Sequence, residues 1–115
     1  MADNYVAYHV HSDYSVLDSC TNFKQYVDRA VELGQKAIAF TEHGRPLGWI
    51  AKKMYCDEKG IQFIRGVECY LTEKLYADEE TQRKIRDNYH TILIAKNDAG
   101  AAEINEAIYN STQPD

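Results

Sequence analysis

The chain has 115 residues, with 13 lysines and arginines against 18 aspartates and glutamates, for a formal net charge of −5. That length suits one small domain or a piece of a larger one, and 44% hydrophobic with 27% charged residues excludes a disordered polar tail. Net acidity argues against an autonomous nucleic-acid binder, because affinity for phosphate backbones comes largely from clustered basic side chains, yet it allows a metal site that handles a phosphoester.

Tyr5 to Val10 (YVAYHV) reads as a short strand running into a polar, turn-rich stretch from His11 to Thr21. A helix fits Asn22 to Leu33, with Thr21 or Ser19 as its N-cap. Phe23, Tyr26, Val27, Ala30 and Val31 follow helical spacing, and Gly34 is the stop. Lys36 to Phe40 is apolar after its first residue, as expected of a strand buried on both faces. Pro46 suits the first turn of a second helix, whose stripe of Leu47, Ile50, Ala51, Met54 and Tyr55 is expected to face the core before Gly60.

Ile61 to Leu71 predicts a third strand, bent at Gly66. Thr72 to Asn88 carries nine charged residues in seventeen and reads as a solvated excursion with one helical turn. Tyr89 to Ala95 is a fourth strand. A last helix starts near Asn97 or Asp98 and runs to about Tyr109, burying Ala101, Ile104 and Ile108, and the tail STQPD carries no structural signal. Strand–helix units at this spacing predict an α/β fold with a mostly parallel sheet, built from about four β/α units. A closed β/α barrel needs on the order of 200–250 residues, so this chain supplies about half of one.

No apolar run approaches the ~20 residues that span a bilayer, and the start (MADNYVAYHVHSDYS) lacks the basic-then-apolar order of a secretory leader. A cytoplasmic location with no membrane partner is expected. Cys20, Cys56 and Cys69 are odd in number and lack CxxC spacing, which reads as three reduced thiols.

All four histidines fall at strand ends or in the loops beside them. His9 and His11 sit two apart, so their side chains leave on one face. Asp13 and Asp18 follow in the loop, His43 lies just past the second strand, and Glu68 is near the end of the third. Side chains at the carboxyl ends of parallel strands converge on one crevice, and imidazoles with carboxylates are the ligand set for zinc, manganese or iron. His90 fits less well, because it opens its strand; either the boundary differs, the strand is antiparallel, or His90 is no ligand. Each residue also has a plainer reading. A histidine alone is more often simply hydrogen-bonded, Asp18 suits a turn, Glu68 can pair with Arg65, and Glu42 can orient the neighbouring His43 imidazole without binding metal.

The run from Tyr8 to Asp18 (YHVHSDYSVLD) resembles the first motif of the PHP (polymerase and histidinol phosphatase) family, and is closest to the PHP domains that open bacterial replicative DNA polymerases. Phe40 to Gly44 (FTEHG) resembles the second motif, where Asp is usual in place of Glu42. Gly66 to Tyr70 (GVECY) resembles the third, and Tyr89 to Asn97 (YHTILIAKN) the later stretch where a histidine precedes a hydrophobic strand. The resemblance implies metal ligands at His9, His11, Asp18, His43, Glu68 and His90, with Asp13 a variable loop residue. It implies a distorted, seven-stranded β/α barrel when complete, of which residues 1–115 are the N-terminal portion, ending before the late Asp-x-His ligands.

The implied activity is metal-dependent phosphoester hydrolysis, of the 3′–5′ exonuclease type in polymerases. The cofactor would be zinc or manganese, with magnesium and iron as other candidates. A DNA 3′ end or another phosphoester and the other polymerase subunits are the implied partners. With a partial ligand shell, weak or absent activity is expected of this chain alone, and an unpaired strand edge predicts self-association. The competing readings are a non-catalytic brace for polymerase subunits and a free-standing small-molecule phosphatase such as a histidinol phosphatase.

Overall fold

The computed structural model describes residues 5–73, 76–78, 83–84 and 88–113. The first helix, α1 (Phe23–Glu32), is capped by Asn22, not by Thr21 or Ser19. The Asn22 side chain accepts from the Lys24 backbone, and Gln25 returns a bond to the Asn22 N–H, closing a reciprocal box. Phe23, Val27 and Ala30 are buried as their spacing requires, whereas Val31 lies at the margin of the stripe and stays exposed.

The strand β1 (Ala37–Phe40) is buried along its whole length. It runs parallel to the first half of β2 (Gln62–Leu71), from Ala37 opposite Gln62 to Phe40 opposite Arg65. The expected strand at Tyr5 to Val10 is present only as an extended segment with one parallel bridge, Ala7 to Ile38. Ala39 donates to the Ala7 carbonyl but Thr41 donates to Val10, so three residues of the first segment face two of β1. The extra residue breaks the ladder, and the Thr41 hydroxyl takes the Val10 N–H instead.

The second helix, α2 (Trp49–Lys59), is turned away from its expected face. Leu47, Ile50, Ala51 and Met54 are exposed, while Lys52 and Cys56 are buried. Tyr55, the last of the expected stripe, packs partly against the core, and the inward face carries Lys52 against a buried carboxylate, described below. Ile61 then joins Phe23, Val27, Ala30, Ile38, Phe40 and Cys56 in a core lying between α1, α2 and β1.

The strand β2 is shared by two partners. Its second half pairs antiparallel with β5 (Tyr89–Ile94), from Gly66 opposite Ile94 to Leu71 opposite Tyr89, so the sheet is mixed and not mostly parallel. The handover falls at Gly66, where a Cβ would stand 2.8 Å from Thr41 Cγ2 and 2.9 Å from the Leu93 carbonyl oxygen. Only glycine lets both neighbours approach there. In the charged excursion, β3 (Tyr76–Asp78) and β4 (Arg83–Lys84) form an antiparallel pair, and the other positions open to the expected helical turn lie largely outside the described residues.

The last helix, α3 (Asp98–Ser111), begins at an Asn97 cap whose side chain accepts from Gly100 and buries Ala101 and Ile104. It takes in Ser111, the first residue of the STQPD tail; Pro114 and Asp115 lie outside the described residues. Among the described residues no helix is long and apolar enough to cross a membrane.

Candidate metal centre

The carboxyl end of β1, the second half of β2, the start of β5 and the loop after Val10 meet at one end of the sheet. Past β1, the parallel ladder continues irregularly: Glu68 donates its N–H to the Glu42 carbonyl, Gly44 donates to the Glu68 carbonyl, and His43 bridges Glu68. The His43 and Glu68 side chains are thereby held side by side. Because β5 runs antiparallel, its beginning lies at this same end, with His90 opposite Tyr70. That orientation resolves the difficulty posed by a histidine that opens its strand.

Glu68, buried, is the hub. Its Oε2 lies 2.7 Å from His9 Nε2 and 3.2 Å from His11 Nε2, and its Oε1 lies 2.9 Å from His43 Nδ1 and 3.3 Å from His90 Nδ1. Asp18 approaches from the loop, with Oδ2 3.2 Å from His43 Nε2 and 3.8 Å from His11 Nε2. The His11 and His43 rings stack with centroids 4.3 Å apart, and Tyr70 sits edge-on to His90 at 4.6 Å. All six side chains singled out in the sequence therefore come together. Asp13 stays outside the cluster and accepts a bond from the Asn22 side chain.

Two overlapping subsets have donor atoms close enough to share an ion: His9, His11 and Glu68, and His11, Asp18 and His43. His43 Nδ1 and Glu68 Oε1 are both buried and 2.9 Å apart, yet neither has a hydrogen-bond partner. Buried polar atoms are seldom left so. Imidazole with carboxylate is the donor set that zinc and manganese accept. Burial pushes the Glu68 carboxyl up, but the hydrogen bond from His9 and the charges of His43, His11 and His90 outweigh it. Its pKa lies below the ordinary carboxylate value.

Behind the cluster lies a second buried carboxylate, Glu42. Among the described residues, its hydrogen bonds go to groups other than the His43 imidazole. It accepts instead from the Ser12 backbone N–H at 3.0 Å, from the Ser12 and Ser15 hydroxyls, and from Lys52 Nζ at 2.6 Å. Lys52 also donates to the Leu47 carbonyl at 2.7 Å and lies 4.7 Å from the centre of the Tyr14 ring. Burial raises the Glu42 pKa, but the hydrogen bonds from Lys52, Ser12 and Ser15 and the Lys52 charge bring it below the usual range. Burial draws the Lys52 pKa down against the pull of Glu42 and Asp13.

Ser12, Ser15 and Lys52 are thus functional neighbours that the sequence pattern did not single out. The signal for Lys52 is its place between Trp49 and Cys56 at helical spacing, a line that competes with the more apolar stripe beside it.

The mixed α/β arrangement matches solved structures of one fold class. It superimposes on an amidohydrolase from Chromobacterium violaceum with a TM-score of 0.61 and 22% identity, covering 88% of this chain and 32% of that one. A two-domain protein from Bacteroides vulgatus containing a predicted PHP-like metal-dependent phosphoesterase matches with a TM-score of 0.54 and 20% identity, covering 88% and 32%.

The family model of the PHP domain matches residues 7–113, and the chain belongs to that family. It is 38% identical over 96 residues to the DNA polymerase III subunit alpha of Chlamydia pneumoniae and 37% identical over 97 residues to that of Treponema pallidum (strain Nichols). Each alignment covers 84% of this chain and 8% of the relative, so the chain spans about a twelfth of the length of these polymerase subunits.

Proposed function

We propose that His9, His11, Asp18, His43, Glu68 and His90 bind a divalent cation, and that the site belongs to phosphoester hydrolysis within a replicative polymerase subunit. The observation that carries this reading is the convergence of four imidazoles on the buried Glu68 carboxylate, at 2.7, 3.2, 2.9 and 3.3 Å, with Asp18 beside them. The polymerase setting, with a DNA 3′ end or another phosphoester as substrate and other subunits as partners, is supported by kinship with the polymerase III alpha subunits. The same kinship supports taking residues 1–115 as the N-terminal portion of the PHP domain, part of a distorted β/α barrel.

Zinc or manganese fits the donors best, with three or four of them sufficient for zinc. A divalent ion bound here would polarise a phosphoester oxygen and acidify a water molecule. The protein's own contribution is positional. Glu68, whose oxygens face His9 and His11 on one side and His43 and His90 on the other, is placed to be shared between two positions. Asp18 closes the side of the cluster that faces the loop.

Calorimetric titration and elemental analysis of the chelator-treated chain test the reading. Uptake of zinc or manganese is expected, and Glu68→Ala should weaken it beyond the roughly 10–100-fold that outer-sphere changes cost. Failure to take up either ion, or undiminished affinity in Glu68→Ala, would overturn it.

A further inference from the structure

The buried charges behind the centre have a directional consequence. Ser15 has one hydroxyl proton, and it is donated to Glu42 Oε2. Lys52, both Ser12 donors and Ser15 converge on this carboxylate, which acts purely as an acceptor. Lys52 holds it in place, because its ammonium is itself buried and tied to the Leu47 carbonyl. With its proton committed, the Ser15 oxygen can only accept from its other two neighbours. One is the backbone N–H of His43 at 3.2 Å. The other is His11 Nδ1 at 3.3 Å, which must therefore carry the hydrogen. His11 Nε2 is the atom that faces His9, Asp18 and Glu68, and with the hydrogen held on Nδ1 it is Nε2 that an ion displacing the Glu68 hydrogen bond would meet.

We propose that Lys52, Glu42 and Ser15 form a positioning relay that holds a hydrogen on His11 Nδ1 and so presents Nε2 to the centre. The relay runs from α2 through the strand end to the loop, and none of its three members touches the place where a cation would sit. Its importance for metal binding rests on the reading above; the tautomer itself does not.

The test is a long-range proton–nitrogen correlation spectrum of the uniformly 15N-labelled, metal-free full chain. The expected spectrum has a protonated Nδ1 for His11. In Ser15→Ala the acceptor is gone, and His11 should shift to a mixed or Nε2–H population, with zinc affinity falling about 10–100-fold. Lys52→Met, if it folds, should show the same tautomer loss, since the carboxylate loses its anchor.

An Nε2–H tautomer in the wild type, or an unchanged His11 signature in Ser15→Ala, would overturn the relay. If Ser15→Ala does not fold, the wild-type spectrum decides alone. Absence of zinc binding in a wild type that shows the Nδ1–H tautomer would sink the metal reading and leave the relay standing.

Discussion

Cys56 is wholly enclosed beneath α2, and burial pushes its thiol up to about 11, with the Asp57 charge adding to the effect. Cys20 is exposed. Because the thiolate is the reactive form, Cys20 is expected to alkylate at pH 8 in the folded protein while Cys56 is spared, as peptide mass mapping would show. The sign of the stability effect follows. The unfolded thiol ionises near the ordinary value of 9.0 and the folded one only at about 11, so ionisation favours the unfolded chain. The stabilisation is complete below pH 9 and is lost as the pH rises toward 11, an effect of about 2–3 kcal/mol. Tyrosines titrate over the same range, so the quantity to measure is the flatter denaturation profile of Cys56→Ala relative to the wild type. The convergence of His9, His11, His43, His90 and Glu68 was legible in the sequence because the chain's four histidines all fall at or beside strand ends. Lys52 was not, since a lysine in a helix is nearly always solvated and nothing in its own neighbourhood announces the carboxylate ten positions earlier.

At the scale of elements, α2 separates two ideas of what orients a helix. Sequence spacing favours Leu47, Ile50, Ala51 and Met54 as the buried face, whereas the fold buries Lys52 and Cys56. The double substitution Ile50→Gln with Met54→Gln should leave stability within about 0.5 kcal/mol, as for other surface changes. Lys52→Ala should cost about 3–5 kcal/mol by stranding Glu42. Urea denaturation distinguishes the two, and a large loss in the double variant would mean that the apolar stripe packs after all. The strands show a similar division. β1 was legible as a continuous apolar run, and Gly66 as a special point in β2, where the strand changes partners. The pairing directions were not, because orientation is set by contacts between segments far apart in the chain. Likewise Tyr5 to Val10 has strand-like composition, but one added residue in its register breaks the ladder, and a register cannot be read from a single segment.

At the scale of the whole molecule, the centre is assembled from separate parts of the chain, and local devices hold the fold around it. The capping box starts α1, Gly66 admits two close neighbours, the buried ion pair anchors α2, and the ladder between β2 and β5 brings His90 home. α/β class and alternating order were visible beforehand because period and punctuation are local signals. The mixed sheet was not. Its most useful consequence concerns the way Leu71 faces Tyr89 across the β2–β5 ladder. The polypeptide departs and re-enters at adjacent points, so the intervening seventeen residues, 72–88, make a closed detour that spans no distance. Excising them in favour of a two-residue Asn-Gly hairpin connection should keep His90 in register and preserve zinc uptake by calorimetry. Changes of length in this appendix are expected to leave the cluster at its base intact.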